Sequence, residues 1–316
     1  MPTQLIVPII DQSQWHGGQF GVPGSGPVMN VAANLLPGSG NVFYVWGRNG
    51  GIGSDSHDGL TPQYPLLTLT YALSLCTNDA QDTIVIMSYS APTGETWPIS
   101  VAKESTHIIG ASGGGNPVPY ITPPGDTAAF SIAQDKIQIQ GLSINGGATH
   151  GCVETSAAAA RWGLRVDSCF FGVVGAGQDG IRNVAAGDAP YLEVTRCTFG
   201  AGLTRDGIRI DHNATRSRIG TPWGLGNVFD RVGGVGVNVV GNAVQVGIHN
   251  NVFVPVSDGA GLAISLPAGA TNCVISGNVA NFGKTAMAAN PFVDAAGANA
   301  NHWMGNMHNI TLTDPA

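Results

Sequence analysis

Hydrophobic and polar residues alternate in short segments that recur at a constant distance along the chain. Residues 164–171, with the sequence LRVDSCFF, carry apolar side chains at their first, third and eighth positions, and the same arrangement begins at residues 137, 192, 246 and 273. The steps between these starts are 27, 28, 54 and 27 residues, and 54 is twice 27. A further copy is therefore expected near residue 219, where an insertion separates residues 218–219 from 227–229. A repeat of this length predicts a solenoid, in which each repeat forms one coil.

A second short alternating segment accompanies the first in most repeats. It covers residues 151–153, 179–182, 206–210, 234–239 and 261–264. Clusters of Gly, Asn, Asp and Ser lie between the segments, as expected for strands joined by turns. No repeat contains a helical run of about 10–12 residues, so helical solenoids are excluded. The pattern predicts an all-β fold, a parallel β-helix whose equivalent strands stack about 4.8 Å apart.

Composition limits the classes of function. Charged residues make up only 10% of the chain, 46 residues are Gly, and the formal net charge is −7. The composition is unlike that of disordered chains, and the negative charge argues against a general nucleic-acid partner. Residues 1–10 lack the basic start of a secretory signal, and Pro8 interrupts their apolar run. We expect no membrane span, and we expect synthesis in a host cytoplasm without a signal peptide.

The chain divides into three regions by pattern. Residues 1–41 carry a single charge, Asp11, and form a predicted extended arm that docks on a partner surface, with the chain's own body as the alternative. Residues 42–280 form the predicted solenoid, with an amphipathic helix over about 65–76. Residues 281–316 lose the period and are interpreted as a C-terminal cap or oligomer contact.

The five cysteines do not indicate a disulfide framework. Their number is odd, and Cys169 and Cys197 occupy equivalent positions of neighbouring repeats. They are expected to lie one above the other in the interior as free thiols, which behave as small hydrophobes. A stacked disulfide is the alternative.

The opening of the solenoid resembles a known superfamily. A strand at 41–46 is followed by the loop GSDSHDG at 53–59, a proline, the amphipathic helix and an Ile/Val strand at 83–87. This order is similar to the N-terminal opening of right-handed parallel β-helix, or pectin-lyase-like, proteins, and the resemblance covers residues 41–280. The superfamily includes pectate lyases, polygalacturonases and bacteriophage tailspike and head-decoration proteins. The resemblance implies a right-handed solenoid, a helix that closes its N-terminal end, and a homotrimer.

The tetrad Asp-Gly-Ile-Arg occurs twice, at residues 179–182 and 206–209, one repeat apart. Stacked carboxylates of Asp179 and Asp206, with Asp211 and His212 close by, would suit the acid–base pair of a glycosidase. The favoured interpretation is structural: Asp-Gly forms a turn in each coil, while Arg182 and Arg209 neutralise the stacked carboxylates. No catalytic residue is therefore favoured.

Family motifs of the enzymes are missing. The polygalacturonase patterns Asn-x-Asp, Asp-Asp, Gly-His-Gly and Arg-x-Lys do not occur in the chain. A pectate lyase would require a calcium-binding acidic cluster; Asp55 and Asp58 could hold a hard cation, but turn stabilisation is the favoured role. We expect no metal and no cofactor.

Two features suggest binding. Nine of the thirteen basic residues are arginines between residues 161 and 231, including Arg182 and Arg209. They could grip an anionic polysaccharide or, as we favour, a neighbouring subunit. Trp223 lies in the insertion after residue 219 and could stack on a sugar ring, although packing on a neighbouring loop is the default.

These features favour a structural protein of a bacteriophage virion. We expect a homotrimeric head-decoration or spike protein, attached to a capsid or tail protein through residues 1–41. The alternatives are a carbohydrate-active enzyme, either a polysaccharide lyase or a glycoside hydrolase, and a non-catalytic glycan-binding spike. Both alternatives would act on an acidic polysaccharide, such as one on a cell surface.

Overall fold

The structure is a computed structural model that describes residues 40–111, 118–155, 162–172, 177–184, 190–254, 261–280, 291–297, 300–308 and 311–312. Apart from residues 40 and 41, the predicted N-terminal arm lies outside the described residues. The chain forms a right-handed parallel β-helix whose coils contribute strands to three sheets. The predicted all-β solenoid is therefore confirmed.

The strands, numbered along the chain, stack in order along the solenoid axis within each sheet. Sheet A contains β1 (Val42–Gly47), β2 (Thr83–Tyr89), β4 (His107–Gly110), β7 (Gln138–Gln140), β10 (Arg165–Asp167), β13 (Glu193–Thr195), β17 (Arg218–Ile219), β21 (Gly247–His249), β24 (Val274–Ser276) and β27 (His302–Met304). Sheet B contains β3 (Ile99–Val101), β6 (Phe130–Ile132), β9 (Val153–Thr155), β12 (Ile181–Asn183), β15 (Ile208–Ile210), β19 (Val235–Val239), β23 (Leu262–Leu266) and β26 (Phe292–Asp294). Sheet C contains β5 (Tyr120–Ile121), β8 (Ser143–Ile144), β11 (Phe170–Phe171), β14 (Thr198–Phe199), β18 (Val228–Asp230), β22 (Val252–Val254), β25 (Val279–Ala280), β28 (Met307–His308) and β29 (Thr311–Leu312). A small additional pair is formed by β16 (Ala214–Thr215) and β20 (Ala243–Val244).

Equivalent side chains of successive coils lie directly above one another. Ile181 is paired with Ile208 in sheet B, as the repeat predicts. In sheet A, Ile219 lies between Val194 and Ile248. The expected copy near residue 219 is therefore present, and the insertion after it is accommodated outside the parallel sheets.

A residue in the left-handed region bends the chain from sheet A into sheet C in coil after coil. The bend is made by glycine at Gly141 and Gly277, but by Ser168, Arg196 and Asn250 in other coils, with φ values between 53° and 66°. An L-residue adopts this conformation at a cost, which the surrounding strands must offset. The repeated segment read from the sequence as one strand is therefore two strands separated by a bend.

Four phenylalanine rings form a continuous stack inside the solenoid. Phe171, Phe199, Phe229 and Phe253 are inward residues of sheet C, and their ring centroids are 4.9, 4.7 and 4.7 Å apart with interplanar angles of 5–10°. All four side chains are buried. The spacing equals that of the strands, so the ladder of backbone hydrogen bonds sets the distance between the rings.

A row of buried asparagines continues this stacking beside the bend. Asn227, Asn251, Asn278 and Asn306 occupy equivalent positions. The Oδ1 atoms of the last three each accept bonds from the backbone N–H and the Nδ2 of the asparagine one coil earlier. The Asn227 Oδ1 accepts from the Cys197 backbone N–H at 2.9 Å. The Nδ2 of each of the four asparagines also donates to a backbone carbonyl of a preceding coil. The polar groups at these bends are thereby satisfied without water.

Cysteines take the same position in two earlier coils. Cys169 and Cys197 are both buried, and the Cys169 backbone N–H points to the Cys197 sulfur at 3.5 Å. The predicted stacking of these residues is confirmed, and all five cysteines are free thiols. Burial raises the pKa of the Cys76 thiol to about 12, so this group is un-ionised at neutral pH.

Helix α1 (Leu69–Leu75) lies at the N-terminal end of the solenoid, within the predicted range 65–76. Its side chains Leu69, Ala72 and Leu73 are buried in the hydrophobic core beside the first strand of sheet A. No helix in the part of the chain that the structure describes is long and apolar enough to span a membrane.

The C-terminal end continues the parallel stacking beyond the predicted boundary at residue 280. Strands β26, β27 and β28 pair in register with the coil before them. The short strand β29 then pairs antiparallel to β28, so the direction of the chain reverses there.

One outward side chain from each strand β5 to β28 of sheet C belongs to a row that we call the apolar strip, and the charged Asp230 of β18 lies beside this row on the same face. Its members pair in register from one coil to the next: Tyr120, Ser143, Phe170, Thr198, Val228, Val252, Val279 and Met307. Tyr120, Phe170 and Val228 are its exposed apolar members, whereas Ser143 between the first two is buried.

Candidate functional site

The two repeated aspartates lie inside an arginine network. Asp179 is 0% exposed, accepts two hydrogen bonds from Arg205, one of them at 2.9 Å, and accepts a third from the Asp206 backbone N–H at 3.1 Å. Asp206 is also buried and accepts from Arg209 at 3.0 Å and from Val235 N–H at 2.9 Å. Both carboxylates are therefore engaged in ion pairs with arginines and in hydrogen bonds with backbone N–H groups.

The remaining residues of the predicted acid–base group join the same network. The Asp211 carboxylate accepts from Arg182 at 3.0 Å and from Arg209 at 2.6 Å. The His212 backbone N–H donates to the Asn183 side chain at 3.1 Å. Arg182 and Arg209 are three-quarters buried or more and are held by these bonds, so neither presents a free guanidinium to a ligand.

Arg205 is the partner that sequence reasoning missed. Arg182 and Arg209 were expected to neutralise the stacked carboxylates, and Arg209 does pair with Asp206. Arg182 instead pairs with Asp211, and the bidentate partner of Asp179 is Arg205 from the next coil. Burial raises the pKa of Asp179, and the bonds from Arg205 oppose that rise. The sequence signal is weak, because Arg205 belongs to only one of the two copies of the tetrad's flanking segment.

Asp55 and Asp58 occupy positions in the opening loop, where backbone N–H groups surround them. Asp55 accepts from the N–H groups of Leu67 and Thr68 at 2.9 Å each, and from the Thr68 hydroxyl at 2.8 Å. Asp58 accepts from Leu60 N–H at 3.0 Å. Among the described residues, no three His, Cys, Asp or Glu side chains are arranged to hold a metal ion.

A polar cleft of about 330 Å³ lies on the outer face of sheet A. Its floor is made by outward side chains of three neighbouring coils, and its rim by the insertion after β17. The lining polar residues include Gln138, Gln140, Arg165, Asp167, Glu193, Thr195 and Arg196, and the insertion contributes Thr221 and Leu225. The cleft is at the small end of the range of small-molecule sites.

Charges in the cleft are balanced. Two arginines and two carboxylates line it, and they pair as Arg165 with Glu193 at 3.3 Å and Arg196 with Asp167 through two hydrogen bonds. Burial lowers the pKa of His107, which lies on the same face in a preceding coil, so it adds no charge at neutral pH. The floor therefore offers hydrogen-bonding groups with no net charge.

Trp223 stands on the insertion that forms one rim of the cleft. Its side chain is 83% exposed, the largest exposure among the large hydrophobic residues that the structure describes. The insertion is anchored below it, because Asn250 Nδ2 donates to the Thr221 carbonyl at 2.7 Å and Leu225 N–H donates to the Thr221 hydroxyl at 3.2 Å. The predicted packing of Trp223 on a neighbouring loop is not observed, since its ring faces solvent.

A second aromatic group lies at the opposite edge of the strands. Trp162 lies three residues before β10 and Tyr191 two residues before β13. Both are exposed, and their ring centroids are 5.8 Å apart. Arg216 lies over the Tyr191 ring at 5.9 Å and donates to its hydroxyl at 2.7 Å. Because the strands are parallel and in register, their starts share one edge and the insertion lies at the other.

The residues of the cleft floor follow a pattern that is visible in the sequence. Its floor occupies the polar positions of the repeated segment, at the second and fourth residues of coils beginning at 137, 164 and 192. Polar residues at outward positions are ordinary in any half-buried strand, so the pattern by itself does not distinguish a cleft from a solvated face.

Comparison with known proteins identifies the fold. The family described as "Protein of unknown function (DUF1565)" matches residues 51–278. A solved GH136 lacto-N-biosidase from Eubacterium ramulus is 10% identical with a TM-score of 0.51, over 85% of this chain and 60% of that one. A rhamnogalacturonan lyase is 12% identical with a TM-score of 0.42, over 76% of this chain and 74% of the other. No curated protein matches the chain.

These structural similarities concern the β-helix alone. At 10% identity, the similarity to the lacto-N-biosidase shows a shared fold, and the chain spans less than two thirds of that protein's length. Because one fold hosts many functions, the function must be argued from the site.

Proposed function

The chain belongs to the DUF1565 family of proteins of unknown function, and we propose that it binds carbohydrate in the cleft on sheet A. The observation that carries the proposal is Trp223, which projects into solvent from the insertion whose residues Thr221 and Leu225 line a polar, charge-balanced cleft. An exposed indole ring in water has no structural role in the fold, whereas it offers the apolar face of a sugar ring a surface to stack on.

The floor of the cleft supplies the polar contacts that a sugar requires. The amides of Gln138 and Gln140 and the paired charges of Arg165 with Glu193 provide donors and acceptors close together. Hydroxyl groups of a sugar can exchange bonds with both members of such a pair. An anionic chain would instead meet a surface with no net positive charge, so the cleft suits an uncharged glycan better than the acidic polysaccharide expected from the arginine content.

Binding without catalysis is the form of the proposal that the side chains favour. Both carboxylates of the cleft, Asp167 and Glu193, are engaged with arginines, and Asp167 also accepts from the Thr195 hydroxyl at 2.8 Å. The buried aspartates Asp179 and Asp206 lie in a separate network at sheet B. No acid–base pair is therefore presented to a ligand in the cleft.

Replacing Trp223 by alanine is expected to weaken glycan binding about 10- to 100-fold, since stacking of an aromatic ring contributes about 1–3 kcal/mol. The probe is a panel of neutral and uronic-acid oligosaccharides, measured by isothermal titration calorimetry with the whole chain. The matched control is Tyr64→Ala, which removes another exposed aromatic side chain outside the cleft.

Three results would contradict the proposal. These are the absence of binding to every oligosaccharide of the panel, an equal loss of affinity in the Tyr64→Ala control, or shortening of the bound chain by the protein. The last result would replace a binding function by an enzymatic one.

We also propose the structural role in a bacteriophage virion that the sequence favours, as a head-decoration or spike protein attached through residues 1–41. The low charge and the apolar strip of sheet C support it, because both suit contact within an assembly. The chain is expected to purify with particles. Because Asn41 is hydrogen-bonded to Asp82 and Thr83, the deletion that tests the arm removes residues 2–39, and it is expected to release the chain while its thermal unfolding stays unchanged. Particles that never contain the full chain would rule this role out.

A further inference from the structure

Two tryptophans are exposed in the part of the chain that the structure describes, and they lie at opposite edges of sheet A. Trp162 is 53% exposed and Trp223 is 83% exposed, whereas Trp97 and Trp303 pack against the hydrophobic core. Trp162 lies just before a strand of sheet A, at the edge where the strands start, and Trp223 belongs to the insertion at the edge where they end. Leaving an indole ring in water forgoes the free energy of burying it. Two such rings beside one polar cleft point to a single ligand that covers both.

The edge around Trp162 is held in place by contacts between successive coils. The Trp162 carbonyl accepts a hydrogen bond from the Lys136 backbone N–H at 2.7 Å, and its ring lies against the ring of Tyr191. Arg216 donates to the Tyr191 hydroxyl at 2.7 Å and to Gln245 Oε1 at 3.1 Å. A surface that is already ordered before binding loses less conformational entropy when a ligand arrives.

No side chain of the two coils stands between this aromatic edge and the floor of the cleft. Gly163 has no side chain, and Leu164 and Leu192 are each only 2% exposed because they point into the core. The next outward residues are Arg165 and Glu193, which already line the cleft. A ligand that lies on the floor can therefore continue to the aromatic edge without a barrier.

The width of this face sets the length of the ligand. Tyr191 and Arg196 are five residues apart, and Arg196 lines the cleft at the far edge. Because a strand rises about 3.3 Å per residue, the face is about 16 Å wide. The insertion follows Ile219, which pairs with Val194, so it leaves the sheet at that far edge. A pyranose ring with its glycosidic oxygen advances a chain by about 5 Å, since its single bonds are each about 1.5 Å long. About four linked sugars are needed to reach from one edge to the other.

We propose that the ligand of the cleft is a linear chain of at least about four uncharged sugar units, which crosses sheet A along the direction of the strands. One end unit stacks on Trp223, the inner units exchange hydrogen bonds with the polar floor, and the other end unit packs against Trp162. The inference rests on the proposed glycan binding and adds the length of the ligand, its direction and its second anchor. A monosaccharide or disaccharide reaches one edge alone.

The test measures affinity against chain length by isothermal titration calorimetry with the whole chain. The probes are cello-, xylo- and galacto-oligosaccharides of two, four and six units. Affinity is expected to rise about 10-fold from two to four units, because the second aromatic contact forms, and to change little from four to six. Trp162→Ala is expected to remove this gain and to leave the affinity for two units unchanged, whereas Trp162→Phe retains most of it. Trp223→Ala is expected to weaken binding at every length, and the control Tyr64→Ala at none.

A measurement on the unaltered chain covers the case in which a variant fails to fold. Hydroxyl-radical footprinting is expected to show that the four-unit chain protects both Trp162 and Trp223, while the two-unit chain protects Trp223 alone. Equal affinities for two and four units, an equal loss at both lengths in Trp162→Ala, or protection that spares Trp162 would overturn this inference and leave glycan binding in place. The absence of binding at every length would overturn both.

Discussion

Phe229→Ala is expected to lower the free energy of unfolding by about 3–5 kcal/mol, the usual cost of truncating a buried phenylalanine. Phe229 lies within the stack, with ring centroids 4.7 Å from both Phe199 and Phe253. Neighbouring rings cannot close the cavity, because their positions are set by the backbone ladders of their own coils. Urea or guanidinium unfolding followed by far-UV circular dichroism measures the loss.

Two control variants show whether a loss of stability in Phe229→Ala comes from the cavity in the ring stack. Phe229→Leu fills most of the space and is expected to cost clearly less than the alanine variant. Val240→Ala truncates an exposed side chain and is expected to change the stability by less than about 0.5 kcal/mol. If Phe229→Ala were as stable as Val240→Ala, the ring stack would not be part of the core.

Arg205→Met is expected to lower the free energy of unfolding at neutral pH by about 3–5 kcal/mol, because it leaves the buried Asp179 carboxylate without its ion partner. Asp179 is 0% exposed, and among the described residues its other donor is the Asp206 backbone N–H at 3.1 Å. Methionine retains much of the volume of the arginine stem, so the effect reports mainly the lost charge pair.

The loss in Arg205→Met is expected to depend on pH in a defined direction. Burial raises the pKa of Asp179 above its ordinary value of 3.8, and Arg205 opposes the rise. Removal of Arg205 therefore raises this pKa further. A carboxyl group with a raised pKa in the folded state binds more protons there than in the unfolded chain, so stability falls as pH increases above about 3.8. The gap between variant and wild type should widen from acid to neutral pH.

The control for this prediction is an exposed ion pair. Arg231 and Asp230 are 3.1 Å apart with both side chains more than a third exposed. Arg231→Met is expected to change the stability by at most about 1 kcal/mol and without the same pH dependence. An Arg205→Met loss as small as that of Arg231→Met would show that Asp179 does not rely on its arginine.

The candidate site was only partly accessible to sequence reasoning. Trp223 stood out because an insertion interrupts a regular repeat, and repeats make such interruptions visible. The polar floor of the cleft could not be recognised in the sequence, because Gln138 and Asp167 occupy ordinary outward positions of their strands. Only stacking of the coils shows that these side chains share one cleft with the insertion as its rim.

The amino-acid sequence alone determined the repeat, the parallel stacking of equivalent residues and the placing of Cys169 above Cys197. It could do so because in a solenoid each coil contacts its neighbours at a constant separation, so a linear period is also a spatial one. The tertiary structure decided where each coil bends, that Arg205 rather than Arg182 pairs with Asp179, and which outward positions form the cleft and the apolar strip. These depend on side-chain reach and on residues such as Ser168 and Arg196 held in left-handed backbone by their surroundings, which no local pattern records.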